Sequence, residues 1–484
     1  MEHLAEVQQI VYEILRTQIE SGIYRYNESL LTMEEAGGQF NVSIDTIRSA
    51  YSRLKQEGYI SLSKKSGAKV LVQRSEQEYA MNIQTYFGLR KDSLIDLGKS
   101  LRPLFSRAQW LGLKHVSADI LEQMEMLSNI SRDAHIPYAV WKSLEKRYAA
   151  LGNKLLTRLA WQVYMFLHAP FFSIKGNITY LTDGETYEQD TFSLCRQQDW
   201  PTLKESINRF QDNLSAALDR FYGEKAIMQP AGQSIAFCWN SYRKPSQLRY
   251  SLAVDLLVCI CDGVYPEGSF LPTSKQLSME KEVSVSTVRR AVSLLGSIGA
   301  VKSARTIGAR VLPLDQSTEH CDFTQPALQR RLLDMAYSLQ MFALSCRNVS
   351  RITLSLNAHS KEPLLQAFYM IKNRQRYDRL EYTTLDLLAK LAPYQAIRTV
   401  YSELLRQFFW SHALRKMAGG PEAMEAAYGP YVEEFISCLE SGDITRFSAK
   451  LESLVTCELR QTVKNLQKLG IPGVVDILIP DIHE

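Results

Sequence analysis

The chain has 484 residues, of which 45% are hydrophobic, 22% charged and 10% aromatic, and its formal net charge is +4. At roughly 100 to 200 residues per domain this length calls for about three domains, and the composition excludes a disordered scaffold or a fibrous repeat. The net charge is too small to announce a nucleic-acid partner, so any such partner has to be read from local charge and motif.

Eight cysteines (Cys195, Cys238, Cys259, Cys261, Cys321, Cys346, Cys438 and Cys457) are spread too thinly for a disulfide framework or a zinc site. The close pair Cys259/Cys261 sits in an apolar helical run with no histidine at ligand spacing. The first residues lack the basic and apolar blocks of a signal peptide. The most apolar stretch, 159–174, is interrupted by Gln162, His168 and Pro170 and is too short to span a bilayer. The expectation is a soluble, cytoplasmic protein with no membrane partner.

In chain order, Val7, Ile10, Val11, Ile14, Leu15 and Ile19 form a helical stripe that Gly22 ends. Residues 32–39 suit a short second helix. Ser43 is a natural N-cap for a third, in which Ile47, Ala50, Tyr51 and Leu54 recur at helical spacing before Gly58. Two helices across a short turn make a helix-turn-helix. The alternation over 59–72, with a tip from Lys64 to Gly67, reads as a β-hairpin wing. Residues 1–75 are thus a first winged domain. Residues 76–244 give helical stripes without strand alternation. In one of them Leu144, Tyr148, Leu151, Leu155, Leu159 and Val163 share a face, with a helix break at Gly152-Asn153. A helical bundle is the simplest outcome.

At residues 245–313 the first domain returns. Shifted by 241 positions and without a gap, 263–312 match 22–71 at sixteen of fifty positions, among them Gly22/Gly263, Thr32/Thr273, Ser43/Ser284, Thr46/Thr287, Arg48/Arg289, Gly58/Gly299 and Gly67/Gly308. Chance does not give that, and a fixed period marks internal duplication. Residues 314–484 form a second helical region. Its acidic turn and long amphipathic helix from Glu440 echo those from Arg196 at an offset near 243 or 244. The expected fold class is mainly α: two winged helix-turn-helix domains, each with a small β-hairpin wing, alternating with two all-α bundles.

The spacing exposes the first turn of each third helix, where a recognition helix meets base edges and phosphates. The candidate DNA contacts in the second copy are Thr273, Lys275, Ser284, Ser286, Thr287, Arg289, Arg290, Arg305, Gly308 and Arg310. In the first they are Thr32, Ser43, Asp45, Thr46, Arg48, Lys64, Lys65, Gly67 and Lys69. Both copies resemble the winged domain of the GntR family of bacterial transcription regulators. That pattern runs G-x-Y-x-x-G-x-x-L-P-S, then V-S-R-x-T-V-R-x-A-x-x-x-L-x-x-x-G, then a wing glycine. The second copy supplies Gly263, Tyr265, Gly268, Leu271, Pro272, Thr273, Val283, Ser284, Thr287, Val288, Arg289, Ala291, Leu295, Gly299 and Gly308. The resemblance implies a double-stranded DNA operator as partner.

The departures discriminate between the copies. The family's arginine after V-S is Ile44 in one and Val285 in the other, while Lys275 is answered by Glu34 and Pro272 by Leu31. Residues 1–75 hold nine Lys/Arg against nine Asp/Glu, and 245–313 hold eight against five. The second copy is therefore expected to bind DNA better.

The helical regions resemble the effector-binding domain of the FadR and FCD branch of that family, with Leu151–Leu156 in place of its G-N-P-L-L turn. This implies an unidentified small-molecule effector. The branch's metal-binding aspartate and histidine positions fall near Val140 and Leu144, and no i, i+4 histidine pair exists, so neither a metal nor another cofactor is expected. Arg374, Arg376 and Arg379 are a candidate anion-facing cluster, weighed against a solvated helix face. No P-loop, G-x-S-x-G, H-E-x-x-H or C-x-x-C motif occurs, and no enzyme is expected. The alternative function is a ligand sensor or protein-interaction adaptor whose winged domains no longer bind DNA. Homodimerisation stays open.

Overall fold

The computed structural model describes residues 2–40, 42–63, 67–134, 137–174, 176–181, 186–225, 227, 234–239, 248–304, 308–313, 317–357 and 359–481. The chain divides into two compact units, residues 1–151 with 157–237, and residues 152–156 with 238–484.

In the first unit, α1 (Glu2–Glu20) buries Val11, Ile14, Leu15 and Ile19 along one stripe. It stops where Gly22 turns to φ +78°, a left-handed conformation that glycine adopts without a Cβ penalty. Thr32 and Glu35 cap α2 (Met33–Phe40) reciprocally: Glu35 N donates to Thr32 Oγ1 at 3.1 Å and Thr32 N to Glu35 Oε2 at 2.9 Å. Helix α3 (Ile44–Gln56) starts at Ser43, whose hydroxyl accepts from Thr46 N at 3.2 Å, and it buries Ile47, Ala50, Tyr51 and Leu54. Strands β1 (Ile60–Ser63) and β2 (Gly67–Val70) pair antiparallel, with Ile60 opposite Val70 and Ser61 opposite Lys69. This is the expected winged helix-turn-helix.

A long helix, α4 (Glu76–His115), follows from a Ser75/Glu78 capping box. Then come α5 (Ala118–Ala134), α6 (Pro137–Ala149), α7 (Lys154–Val163), a π-helical turn over Tyr164–His168, α8 (Ala169–Phe172), α9 (Tyr187–Gln197) and α10 (Trp200–Glu224). The break between α6 and α7 lies where the sequence put it: Gly152 has φ +65°, and Asn153 Oδ1 accepts from Leu156 N at 2.8 Å. Helices α4 and α10 pack along each other, and α4 approaches α6 so closely that a Cβ on Gly112 would lie 2.1 Å from Arg147 O.

The second unit repeats this order. Its winged domain has α11 (Leu248–Cys261), α12 (Ser274–Glu280), α13 (Val285–Ser297), β3 (Val301–Ala304) and β4 (Gly308–Val311). Its bundle has α14 (Pro326–Leu356), α15 (Lys361–Asn373), α16 (Leu380–Leu391), α17 (Gln395–Phe408), α18 (Pro421–Ser441) and α19 (Ile444–Lys468). Helix α14 packs along α19 as α4 does along α10.

The weaker half of the sequence repeat is visible in the backbone. Helices α10 and α19 are both 25 residues long, and their N-caps Asp199 and Asp443 accept from Thr202 N at 3.2 Å and Arg446 N at 2.9 Å. Each cap follows a left-handed residue, Gln198 at φ +55° and Gly442 at φ +75°. The repeat thus extends from the winged domains to this capped helix of each bundle.

Candidate nucleic-acid interface

In the second winged domain Ser284 caps α13, accepting from Thr287 N at 3.1 Å, and its hydroxyl lies 2.9 Å from Ser286 Oγ and 2.8 Å from Thr287 Oγ1. This hydroxyl cluster fixes the start of the helix. Arg289 and Arg290 stand exposed one turn further on, as does Lys275 on α12, whose own start is a Thr273/Gln276 capping box. The helix N-terminus adds unpaired backbone N–H groups suited to phosphate. On the wing, Arg310 is exposed with Nε donating to Gly268 O at 3.1 Å, and Lys302 sits opposite it in the β3–β4 register. Gly308 at φ +113° and Gly67 at φ +67° flank the wing tips in conformations that side chains rarely adopt. Among the described residues no carboxylate pairs with Lys275, Arg289, Arg290, Lys302 or Arg310.

The first winged domain has the same backbone and a different electrostatic state. Asp45 stands where the second copy has Ser286, and it binds the Arg48 guanidinium one turn along α3. Arg16 pairs with Glu20, Arg25 with Glu76 and Arg53 with Glu57. Glu34 is exposed at the position of Lys275. Thr46 is buried, with its hydroxyl 2.9 Å from Ser43 Oγ, so it serves the cap and the core. Lys69 is half-buried on the wing. Lys64, Lys65 and Arg305 lie outside the described residues. Lys302 escaped the sequence reading, although pairing the wing strands across their tip would have set it beside Arg310.

In the candidate anion-facing cluster of the second bundle, Arg376 and Arg379 both face the Asp378 carboxylate. Arg376 pairs with Asp378, and Arg379 donates to Cys261 O at 3.1 Å, so these arginines make local ties.

A site that sequence reasoning missed lies in the first bundle. A cavity of about 60 Å³ is walled by Leu101, Phe105, Val163, Tyr164, Phe210 and Leu214 and edged by Arg147, His168, Tyr187, Glu188 and Gln211. Arg147 is 1% exposed; it binds Glu188 and donates to Ser143 Oγ at 3.3 Å, while its Nε has no partner. Both amide atoms of Gln211, itself 3% exposed, are also without a partner. A buried donor or acceptor left unpaired costs roughly 1–3 kcal/mol, so such a group in a native core calls for an explanation. The π-helical turn brings His168 to the cavity, stacked on Tyr164 at 5.4 Å; burial pushes its pKa down to about 4 and keeps the ring neutral. Tyr187 stacks on Phe210 at 3.8 Å. Single-turn π segments recur at functional sites.

The sequence model of a family described as "Bacterial regulatory proteins, gntR family" matches residues 7–70 and 252–311, the two winged domains. The chain is also similar to three solved structures. They are Streptococcus agalactiae GntR (16% identity, 44% of this chain and 99% of that one, TM-score 0.20), a GntR family transcriptional regulator from Pseudomonas syringae pv. tomato str. DC3000 (18%, 47% and 90%, 0.22), and a structure described as "Lar controls the expression of the Listeria monocytogenes agr system and mediates virulence" (16%, 44% and 96%, 0.18). No curated protein matches the chain. Recognition helix, capped start and wing, present twice, define a DNA-binding transcription regulator of the winged helix-turn-helix class. Within that class this chain carries two GntR-family domains in tandem. No helix among the described residues is long and apolar enough to cross a membrane.

Proposed function

We propose that the chain binds a double-stranded DNA operator mainly through its second winged domain, and that a small molecule in the first bundle modulates that affinity. The observation that carries the DNA half is the pairing state of the cations. Arg289, Arg290, Lys275, Lys302 and Arg310 are available to phosphates and base edges, whereas Arg48 is held by Asp45. Ser286 and Thr287 stand beside the arginines as short hydrogen-bonding groups for base edges. The first domain reads a weaker half-site about one helical turn away, so the operator is an imperfect palindrome.

The unpaired polar atoms of the cavity support the effector half. A ligand there acts on DNA only as far as its affinity differs between the DNA-competent and DNA-incompetent states.

Fluorescence anisotropy on operator DNA at fixed salt tests the division of labour. Arg289→Ala is expected to weaken binding by roughly tenfold to a hundredfold, a loss of about 1–3 kcal/mol, and Arg48→Ala by less than about threefold. Equal losses would sink the unequal-module reading. A second reading, a ligand sensor or adaptor without DNA affinity, draws on Ile44, an exposed isoleucine at the start of the recognition helix. It requires that neither substitution matter.

A further inference from the structure

The polar atoms around the first-bundle cavity limit what can occupy it. Arg147 and Glu188 neutralise each other, His168 is neutral, and the remaining lining groups are tyrosines, glutamines and apolar side chains. A charged occupant would add an uncompensated buried charge, which is expensive in a water-poor site. Gln211 offers one N–H face and one C=O face, both unpartnered, and Arg147 Nε adds a further donor. A carboxamide matches that set edge to edge, its N–H to Gln211 Oε1 and its C=O to Gln211 Nε2. The volume of about 60 Å³ is room for roughly four to six water-sized groups, since one such group needs about 10–15 Å³.

From this we propose that the cavity binds a small uncharged molecule presenting a hydrogen-bond donor and acceptor side by side, a carboxamide, lactam or urea, on a short apolar body. The inference rests on reading the cavity as the effector site and names its ligand class.

The second bundle supports the assignment by contrast. Counting from the matched caps Asp199 and Asp443, Gln211 corresponds to Val455 and Glu188 to Val432; counting from the starts of α7 and α17, Arg147 corresponds to Leu388. All three replacements are fully buried and apolar. The same architecture thus packs without the polar trio, so the fold does not need Gln211 or the Arg147–Glu188 pair. Among the described residues the matched positions of the second bundle lack this polar set, so the proposed site belongs to the first bundle.

The test titrates full-length protein with butyramide and, separately, with butyrate at pH 7, by calorimetry and ligand-observed NMR. Butyramide is expected to bind at micromolar to millimolar affinity, the range open to so few atoms, and butyrate at least about tenfold more weakly. Gln211→Leu, which removes an unpaired amide from an apolar setting, is expected to melt no earlier than the parent and to lose at least about tenfold in butyramide affinity. Butyrate binding as tightly as butyramide, undiminished butyramide binding by the Gln211→Leu protein, or no binding of butyramide would each overturn the proposal. An operator-binding arm separates the two readings. Butyramide that binds through Gln211 and leaves DNA affinity unchanged upholds the ligand class and removes the regulatory role. Other compounds that shift DNA affinity while butyramide fails to bind do the reverse.

Discussion

The two winged domains share a backbone and differ in how their cations are spent. In the first, Arg16, Arg25, Arg48 and Arg53 each meet a carboxylate; in the second, no carboxylate pairs with Arg289, Arg290 or Arg310 among the described residues. Exposed ion pairs contribute little to stability, about 0–1 kcal/mol each, but each one occupies a guanidinium that phosphate would otherwise take. Most of the sixteen identities between the copies fall on turn glycines, helix caps and core positions, the groups that make the fold, while Arg48/Arg289 is shared on the exposed face of the recognition helix. The divergence at Glu34/Lys275 and Asp45/Ser286 leaves the fold intact and changes the field around the recognition helix. The bundles diverge in the same manner, one around a polar cavity and the other around apolar packing at the matched places.

The largest way to break the bundle comparison is Gly112→Ala. Its Cβ would meet Arg147 O at 2.1 Å, whereas the matching position of the second bundle, Thr353, already carries a side chain within its core. Overpacking there should cost roughly 3 kcal/mol or more, against about 1–2 kcal/mol for Thr353→Ala. Urea unfolding would show the first unit's transition moving alone, and equal shifts would deny that the first bundle is the tighter at this crossing.

A smaller effect, on the order of 1 kcal/mol, is expected for Glu381→Gln in the second bundle. Burial and the neighbouring Glu458 hold the Glu381 carboxyl well above the usual carboxylate range. The folded state therefore keeps that proton longer than the unfolded chain does, and its contribution to stability, full at acid pH, is lost as pH rises. The Gln variant should melt higher at pH 7, and the gap should close below the ordinary carboxylate pKa. A gap independent of pH would show that Glu381 is ionised in the fold. The first bundle places Leu214 where Glu458 stands, so it lacks this dependence.

The smallest effect sharpens the winged-domain contrast. Asp45→Ser gives the first copy the residue of the second and frees Arg48, so operator affinity should rise by about threefold to tenfold. Unchanged binding, read by anisotropy, would mean that the first domain does not touch DNA, and weaker binding that Asp45 itself contributes to the contact.

The winged domains were legible because their signals are local. Gly22 and Gly58 end helices, Ser43 and Ser284 start them, and alternation marks the wings within a few residues. The repeat of α10 in α19 was legible through its acidic cap. The cavity was not, because Arg147, Glu188 and Gln211 come from three helices far apart in sequence, and an isolated Gln or Arg on an amphipathic helix looks like surface. Its nearest sequence trace was the aromatic run Tyr164–Phe172, which holds the π-helical turn without announcing it. Local pairing was equally hidden: Arg48 and Asp45 were both read as DNA contacts, and only their geometry shows that they occupy each other.

Duplication within one chain has a consequence for how such a regulator answers its signal. In a symmetric homodimer every substitution appears twice, so a costly unpaired amide is borne twice and two ligands must bind. Here Val455 stands in the second half where Gln211 stands in the first, so on the proposed reading of the cavity a single occupancy event would set the state of the chain. On that reading a monomeric chain would respond to ligand along a simple hyperbola, with graded rather than switch-like output.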